Sequence, residues 1–361
     1  MANTKSGVHQ VVTGLTYGDA ITHHSLAIRG LLRDWGFFSD IFAEHVGSQF
    51  IGIGREIEHL PQVIGPNDLI IFHHSIHSKA TDIIREISNP LILVYHNITP
   101  AFYFLPFNEK YTALLDRGRK ELGEFASKAM LALADSEYNR LELEACGFSK
   151  TKVFPIIFRE SIYRQPFNKV VYQLFRDDYL NIVSVGRIVP QKRIEDLLKT
   201  FAIYRQVINN KARLILVGNH RGFEPYLNSL LRLIERLKLG DVYFTGLVPF
   251  NELLAYYHLA DILVSTSEHE GFCVPLVEGM IFQIPIMARS CGAVPETLSS
   301  AGVLFQDRDP LFLAELIHYI LENKNLRDQL ISNSKKTLSR FSYETSKNNL
   351  RSVLQSVLEV S

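Results

Sequence analysis

From one end of the chain to the other, short apolar runs alternate with stretches of helical spacing, and this alternation restricts the fold more than any other feature. In the first half the runs are VHQVVTGL (8–15), FFSDIFAE (37–44), DLIIFHH (68–74), LILVYH (91–96), AMLALA (129–134) and KVFPIIF (152–158). LNIVSVG (180–186), ARLILVG (212–218), DVYFTG (241–246), DILVST (261–266), IPIMA (284–288) and GVLF (302–305) repeat the habit in the second half. Between them lie amphipathic stretches: Ile194, Leu197, Leu198 and Phe201 occupy i, i+3, i+4 and i+7, one face of a helix. Near-continuous Val/Ile/Leu strands separated by helices predict an α/β fold whose parallel sheets are covered on both faces. With 361 residues the chain is long for one core, so two such domains are expected. The weakest periodicity falls in FRESIYRQPFNKVVYQLFRDD (158–178), polar and without a clear strand or helix, and this is read as the linker.

The bulk numbers exclude several partners. Lys+Arg and Asp+Glu are 38 each, so no net field draws the chain to nucleic acid or an acidic membrane. Cys146, Cys273 and Cys291 are odd in number and in no metal spacing, which predicts reduced thiols and a cytoplasmic protein. The start, MANTKSGVHQVV, lacks a charged n-region leading into an apolar run, and no apolar stretch approaches a spanning helix of about 20 residues. Any membrane contact is expected to be peripheral, at the inner face.

Open α/β sheets bind ligands at the carboxyl ends of their strands. Residues just past those ends include Gly18-Asp19, His73-His74, His96-Asn97, Gly186-Arg187, Gly218-Asn219, Gly246 and the segment SEHEGFCVPLVEGM (267–280). In that segment Gly271 permits a tight turn and Pro275 suits the first turn of a helix. The backbone N–H groups of Phe272, Cys273 and Val274 would then sit at a helix N-terminus, where anions bind. Carboxylates accept hydrogen bonds from hydroxyls, so Glu270 and Glu278 could grip the sugar and ribose ends of a molecule whose middle is a diphosphate, a nucleotide sugar. An isolated pair at this spacing would be a solvated loop residue and a helix-surface residue; the strand–Gly–Pro–helix context favours the site. VSVGRIVPQKRIEDLL (183–198) adds cations: Arg187 for paired contacts to phosphate oxygens and Lys192 as a point charge, where a departing diphosphate gathers charge. An ordinary charged loop before a helix is the plainer alternative.

VGRIVPQKRIEDLL, LILVGN, YFTGLVPFNELLAYYHLADILVSTSEHEGFCVPLVEGM and GAVPETL, in order between about 181 and 310, resemble the nucleotide-binding half of the retaining glycosyltransferases of family 4. GDAITHHSLAIRGLLRDWG, VYHNITP and ADSEYNRLELEACGF resemble the acceptor half of a branch of the same family, of bacterial exopolysaccharide or lipopolysaccharide type. The resemblance implies a GT-B fold, two Rossmann-like domains facing each other across a cleft. The acceptor-binding domain would span 1–160, the linker 161–178 and the nucleotide-sugar domain 179–340, with 341–361 a helix crossing back. It implies that Arg187 and Lys192 hold the diphosphate, Glu278 the ribose and Glu270 the transferred sugar, with backbone contacts from Gly271, Phe272, Cys273 and Val274. Leu247, Val248 and Pro249 would border the base and Asn219 the same cleft. His96 would come to the donor sugar from the other domain, and Gly18 and Asp19 would lie near the diphosphate or acceptor. Cys273 departs from the family, which often has glycine there. The implied reaction is metal-independent, cofactor-free transfer of a sugar, with retention, from a nucleotide sugar to a hydroxyl of a glycan or lipid-linked acceptor. Among donors, UDP-glucose or another UDP-sugar ranks first by frequency in such folds and GDP-mannose second. A sugar-nucleotide epimerase and a non-catalytic nucleotide-sugar-binding protein are the competing classes.

Other signals weigh less. Asp307-Arg308-Asp309 spells a D-x-D, but it precedes PLFLAELIHYIL and is expected to be a helix-start loop. GIG (52–54) lacks the third glycine and acidic partner of a dinucleotide fingerprint. His23-His24 and His73-His74 lack the i, i+4 spacing of a helical zinc pair. AFYFLPF (101–107) is expected to be a buried loop or, alternatively, an edge touching a lipid-linked glycan or the bilayer surface.

Overall fold

Two all-parallel sheets organise the chain, which a computed structural model describes from residue 7 to residue 358. The first contains β1 (Val8–Leu15), β2 (Ile41–Val46), β3 (Gly54–Glu56), β4 (Leu69–His74), β5 (Leu91–Tyr95), β6 (Leu131–Ala134) and β7 (Thr151–Val153), in the order β3-β2-β1-β4-β5-β6-β7. The second contains β8 (Leu180–Val185), β9 (Ala212–Val217), β10 (Val242–Gly246), β11 (Ile262–Ser265), β12 (Ile286–Arg289) and β13 (Val303–Phe305), in the order β10-β9-β8-β11-β12-β13. Each sheet reverses its order once, beside β1 in the first and beside β8 in the second. These switch points open a crevice at the strand carboxyl ends. In the registers there, Val11 faces both Phe42 and Phe72, and Val183 faces both Ile215 and Leu263. The central strands are buried along nearly their whole length, as continuous apolar runs between two helical layers require.

Contacts divide the chain into two compact units. One holds the residues up to Ala101, Lys110–Phe158 and the chain from Phe341; the other holds Phe102–Glu109 and Arg159–Arg340. The last helix, Tyr343–Leu358, belongs to the first unit, where Leu350, Val353, Leu354 and Val357 share a core with Val8, Ile28, Leu31, Ile71 and Val94.

The local readings need four corrections. β2 starts at Ile41 rather than Phe37, because Phe38 is exposed. β7 stops at Val153, two residues before Pro155, which has no N–H for a ladder. β3, sequence GRE, has no apolar residue and gave no strand signal. The stretch 158–178 is not structureless: it holds the helices Glu160–Tyr163 and Lys169–Phe175 and, from Arg159 on, lies within the second unit. The second helix is capped by the Asn168 side chain, which accepts from the N–H groups of Val170 and Val171. At one to two turns, with Val170 and Leu174 exposed, these helices are too short and too little buried to show a 3.6-residue period.

Candidate active site

In the second unit the switch point is shaped first by glycine. At the end of β9, Gly218 has φ +157° and lies so close to the Gly186 carbonyl that a Cβ would come within 1.8 Å of its oxygen. Only glycine lets the two strand ends meet there. Past β8 the chain runs through Gly186 and the exposed Arg187 into a single turn, Pro190–Lys192, and then the helix Ile194–Ile203. Arg187 lies over the Phe223 ring at 5.5 Å, a cation–π contact that aims a long side chain. Arg187 and Lys192 line one small polar cavity with Ser184, Ser265, Thr266 and Ser267.

Lys192 and Glu270 are brought together from strands adjacent at the switch, Nζ to Oε1 2.5 Å, both mostly buried. Burial works against the lysine's charge, but the Glu270 carboxylate outweighs it and raises the Lys192 pKa. Backbone bonds lock both ends. The Thr266 hydroxyl donates to the Lys192 and Arg193 carbonyls, and the Glu268 N–H to the Gln191 carbonyl. From the other side, Ala293 N–H donates to the Glu270 carbonyl and the Thr297 hydroxyl to that of Phe272. Gly292, at φ +49°, makes this approach possible; a Cβ there would lie 2.3 Å from the Glu270 carbonyl oxygen.

Cys273 precedes the helix Val274–Ile281 in the left-handed region, φ +70°, and offers no side-chain cap. The conformation a glycine would adopt freely is therefore kept by a buried cysteine. Its thiol pKa is pushed well up by burial and then by Glu270, so the side chain is a neutral packing group.

Glu278 lies on the buried face of that helix rather than on its surface. One carboxylate oxygen accepts from Tyr163 at 3.1 Å and the other from Tyr257. Tyr257 stacks on Phe282, and Tyr163 meets Phe250 and Phe282 edge-on. Burial raises the Glu278 pKa, and the two tyrosine bonds oppose the rise.

The remaining candidates are spread more widely. Asn219 turns its side-chain oxygen to the Arg221 N–H, while its carbonyl accepts from Ile188 N–H. Leu247 is exposed and Val248 half-buried past β10. Gly18, Asp19 and His96 belong to the first unit. Asp19 caps the helix Ala20–Asp34, accepting from Thr22 N–H and hydroxyl. His96 is occupied on both ring nitrogens: Nδ1 lies 2.8 Å from Asp135 and Nε2 2.8 Å from His73 Nδ1. His73 in turn meets Gln10 Oε1, making a buried chain across the first unit's switch. Asp307 accepts from the N–H groups of Arg308 and Asp309, and Asp309 caps the helix Pro310–Glu322. The aromatic run divides: Phe104 packs on Phe223 and Phe107 on Tyr226, whereas Phe102 and Leu105 are exposed.

Sequence reasoning missed Tyr163, Tyr257, Thr266, Thr297 and Gly292. Thr297 and Gly292 stand within GAVPETL, a segment quoted above without a role for either residue. Tyr163 lies in the stretch read as linker, where nothing local signals a carboxylate partner 115 residues away.

Residues 169–337 match the family described as glycosyl transferases group 1. O-antigen chain mannosyltransferase B of Escherichia coli is 28% identical over 174 residues, 48% of this chain and 44% of that protein. A GDP-mannose-dependent α-(1-6)-phosphatidylinositol monomannoside mannosyltransferase of Mycobacterium tuberculosis is 26% identical over 154 residues, 40% of this chain and 39% of its own length. The chain thus spans less than half the length of these curated relatives. Among solved structures, Anabaena Alr3699/HepE in complex with UDP and glucose superposes with a TM-score of 0.80 at 20% identity, covering 97% of this chain and 100% of that one. Sucrose-phosphate synthase of Thermosynechococcus elongatus gives 0.77 at 17% identity, over 99% and 100%. Residues 169–337 therefore match group 1 glycosyl transferases, in a chain of GT-B fold.

Proposed function

We propose that the protein is a retaining glycosyltransferase that moves a hexose from a nucleotide sugar to a hydroxyl of a glycan or lipid-linked acceptor in polysaccharide assembly. The observation that carries this reading is the buried Lys192–Glu270 pair at the switch point, beside Arg187 and a helix N-terminus. A lysine there is held ready by a carboxylate, and a donor diphosphate would compete for it. Arg187 and Lys192 then stabilise the charge that grows on the departing diphosphate, the task a bound metal performs elsewhere, so no metal or other cofactor is needed. Glu270, released toward the sugar, positions its hydroxyls. With Glu270 assigned to positioning, the proposed chemistry is front-face transfer in which the donor phosphate helps to take the acceptor proton. Glu278, kept as an acceptor by two tyrosines, receives the ribose hydroxyls.

A UDP-sugar, UDP-glucose first, is the proposed donor, in keeping with the HepE complex. GDP-mannose is the second reading, favoured by the relatives named as mannosyltransferases. Among the described residues no helix is long and apolar enough to cross a membrane. Exposed Phe102 and Leu105 support peripheral contact of 101–107 with a lipid-linked acceptor at the inner face of the membrane, in a cytoplasmic protein. Calorimetric titration with UDP, GDP and ADP, with magnesium and with chelator, tests the donor site. One nucleotide should bind, unchanged by chelator; binding of none removes the nucleotide-sugar reading.

A further inference from the structure

Three hydrogen-bonded contacts run in line through the interior of the first unit. His73 Nε2 lies 3.0 Å from Gln10 Oε1, His73 Nδ1 lies 2.8 Å from His96 Nε2, and His96 Nδ1 lies 2.8 Å from Asp135 Oδ2. The two imidazole planes are within 2° of parallel. Both rings and the carboxylate are buried, and the chain links β1 and β4 to the ends of β5 and β6, four neighbours in the sheet.

Counting hydrogens shows what the chain must contain. Gln10 Nε2 donates to the Ser25 carbonyl at 3.0 Å, which turns Oε1 toward His73 as an acceptor. Each of the three contacts needs one hydrogen. Two neutral imidazoles bring one ring hydrogen each and a carboxylate brings none, so one contact would set a lone pair against a lone pair. A third hydrogen removes the conflict. His73 and His96 then both donate from Nε2, and the added hydrogen lies between His96 Nδ1 and Asp135. Asp135 Oδ1 is buried without a hydrogen-bond partner, so a bare carboxylate would be poorly solvated there, and burial raises the Asp135 pKa.

The neighbouring ionisable groups do not take this proton. His24, on the helix Ala20–Asp34, meets the His73 and His96 rings edge-on at 5.8 and 5.6 Å, but its Nδ1 accepts from the Ile157 N–H at 3.0 Å, which keeps it neutral. A charge on His73 is opposed by burial and then by His96 and His24. His74, next on β4, bonds the Gly118 carbonyl and has Glu121 and His77 as charged neighbours. We infer that the folded first unit binds one proton in the Asp135–His96–His73–Gln10 chain beyond those of two neutral imidazoles and a carboxylate, and that this proton ties its central strands together. His96 then has no free lone pair: it is a positioning residue and not a general base for transfer. The inference stands whether or not the second unit binds a nucleotide sugar.

Above about pH 7 an unfolded histidine has lost its added proton, whereas the folded chain keeps one. Unfolding therefore releases a proton, and this contribution to stability, complete below about pH 6.5, falls as pH rises. Two measurements on the full chain test it. In two-bond proton–nitrogen NMR of the histidine rings at about pH 7.5, His73 and His96 should both carry hydrogen on Nε2. A neutral His96 with its hydrogen on Nδ1 alone overturns the inference. In Asp135→Asn the amide supplies the third hydrogen covalently, so no proton is bound. Between about pH 7 and 8 the unfolding constant of the wild type should rise about tenfold relative to that of the variant. Parallel pH dependence of the two proteins also overturns the inference. The NMR measurement uses the wild type alone and decides the matter where Asp135→Asn does not fold.

Discussion

Lys192 Nζ stands 2.5 Å from Glu270 Oε1 although the two residues are 78 positions apart, so each fixes the other before any donor arrives. Lys192→Met removes a cation from the departing group and leaves Glu270 mostly buried without its partner. kcat should fall by about 10²–10³, the usual loss when one preorganised charge-stabilising group is removed. Glu270→Gln should lower kcat while changing UDP affinity little. Because the two residues act as a pair, the double variant should be much less impaired than the product of the single effects. Steady-state kinetics on all four proteins checks this, and simple multiplication of the two losses would falsify the coupled pair.

Tyr163 and Tyr257 hold Glu278 as an acceptor against its own burial. Removing either hydroxyl should push the Glu278 pKa further up. If Glu278 receives the ribose as proposed, its protonation removes an acceptor, so nucleotide affinity should fall as pH drops through that pKa. In Tyr257→Phe the fall should begin at higher pH than in the wild type. At neutral pH the loss in affinity should be roughly tenfold, as expected for a hydrogen bond to a charged group. Titrations of UDP across a series of pH values compare the two profiles; identical profiles for the two proteins would leave the tyrosines as mere packing.

The site was legible in the sequence where it is local. Gly186-Arg187, Lys192 and Glu270 follow strands whose apolar runs are unmistakable, and parallel-sheet geometry makes the carboxyl ends of those strands the proposed place for a ligand. Nothing in the sequence showed that Lys192 pairs with Glu270, because adjacency of β8 and β11 is a property of sheet order. Glu278 was placed on the right helix, but its aromatic enclosure depends on Tyr163, which enters from a stretch without periodicity. Arg289, one residue past the run IPIMA, drew no reading from the sequence, and its burial between Asp196 and Glu268 is visible only in the fold.

The first unit should lose stability in acid through its buried histidines. Burial lowers the His74 pKa from 6.5 to about 4, and pushes His24 and His73 well down as well. A histidine lowered in the fold binds its proton more readily when unfolded, so its contribution is complete above pH 6.5 and is lost as pH falls toward the folded value. For His74 alone this is about 3 kcal/mol across the whole window and roughly 2 kcal/mol by pH 5. His74→Phe gives up the bond to the Gly118 carbonyl but also this acid sensitivity. Denaturant unfolding at pH 7.5 and pH 5 should show a smaller difference for the variant than for the wild type.

Gly292 separates the placement of Glu270 from the binding of nucleotide. A Cβ at this position would meet the Glu270 carbonyl oxygen at 2.3 Å, and φ +49° is unfavourable for a side chain, so in Gly292→Ala the 268–271 loop has to move. Arg187 and Glu278 are positioned by other elements, the turn after β8 and the helix Val274–Ile281, and the Lys192 backbone keeps its bond from the Thr266 hydroxyl even when Glu270 shifts. Nucleotide binding should therefore survive within a few fold. Transfer should not, because a displacement of about 1 Å in a positioning residue costs up to 10²-fold in rate. A kcat reduced tenfold or more with an almost unchanged UDP affinity is the expected result. Equal loss of both would mean that the loop carries the nucleotide as well, and would move Glu270 from the sugar to the diphosphate end of the site.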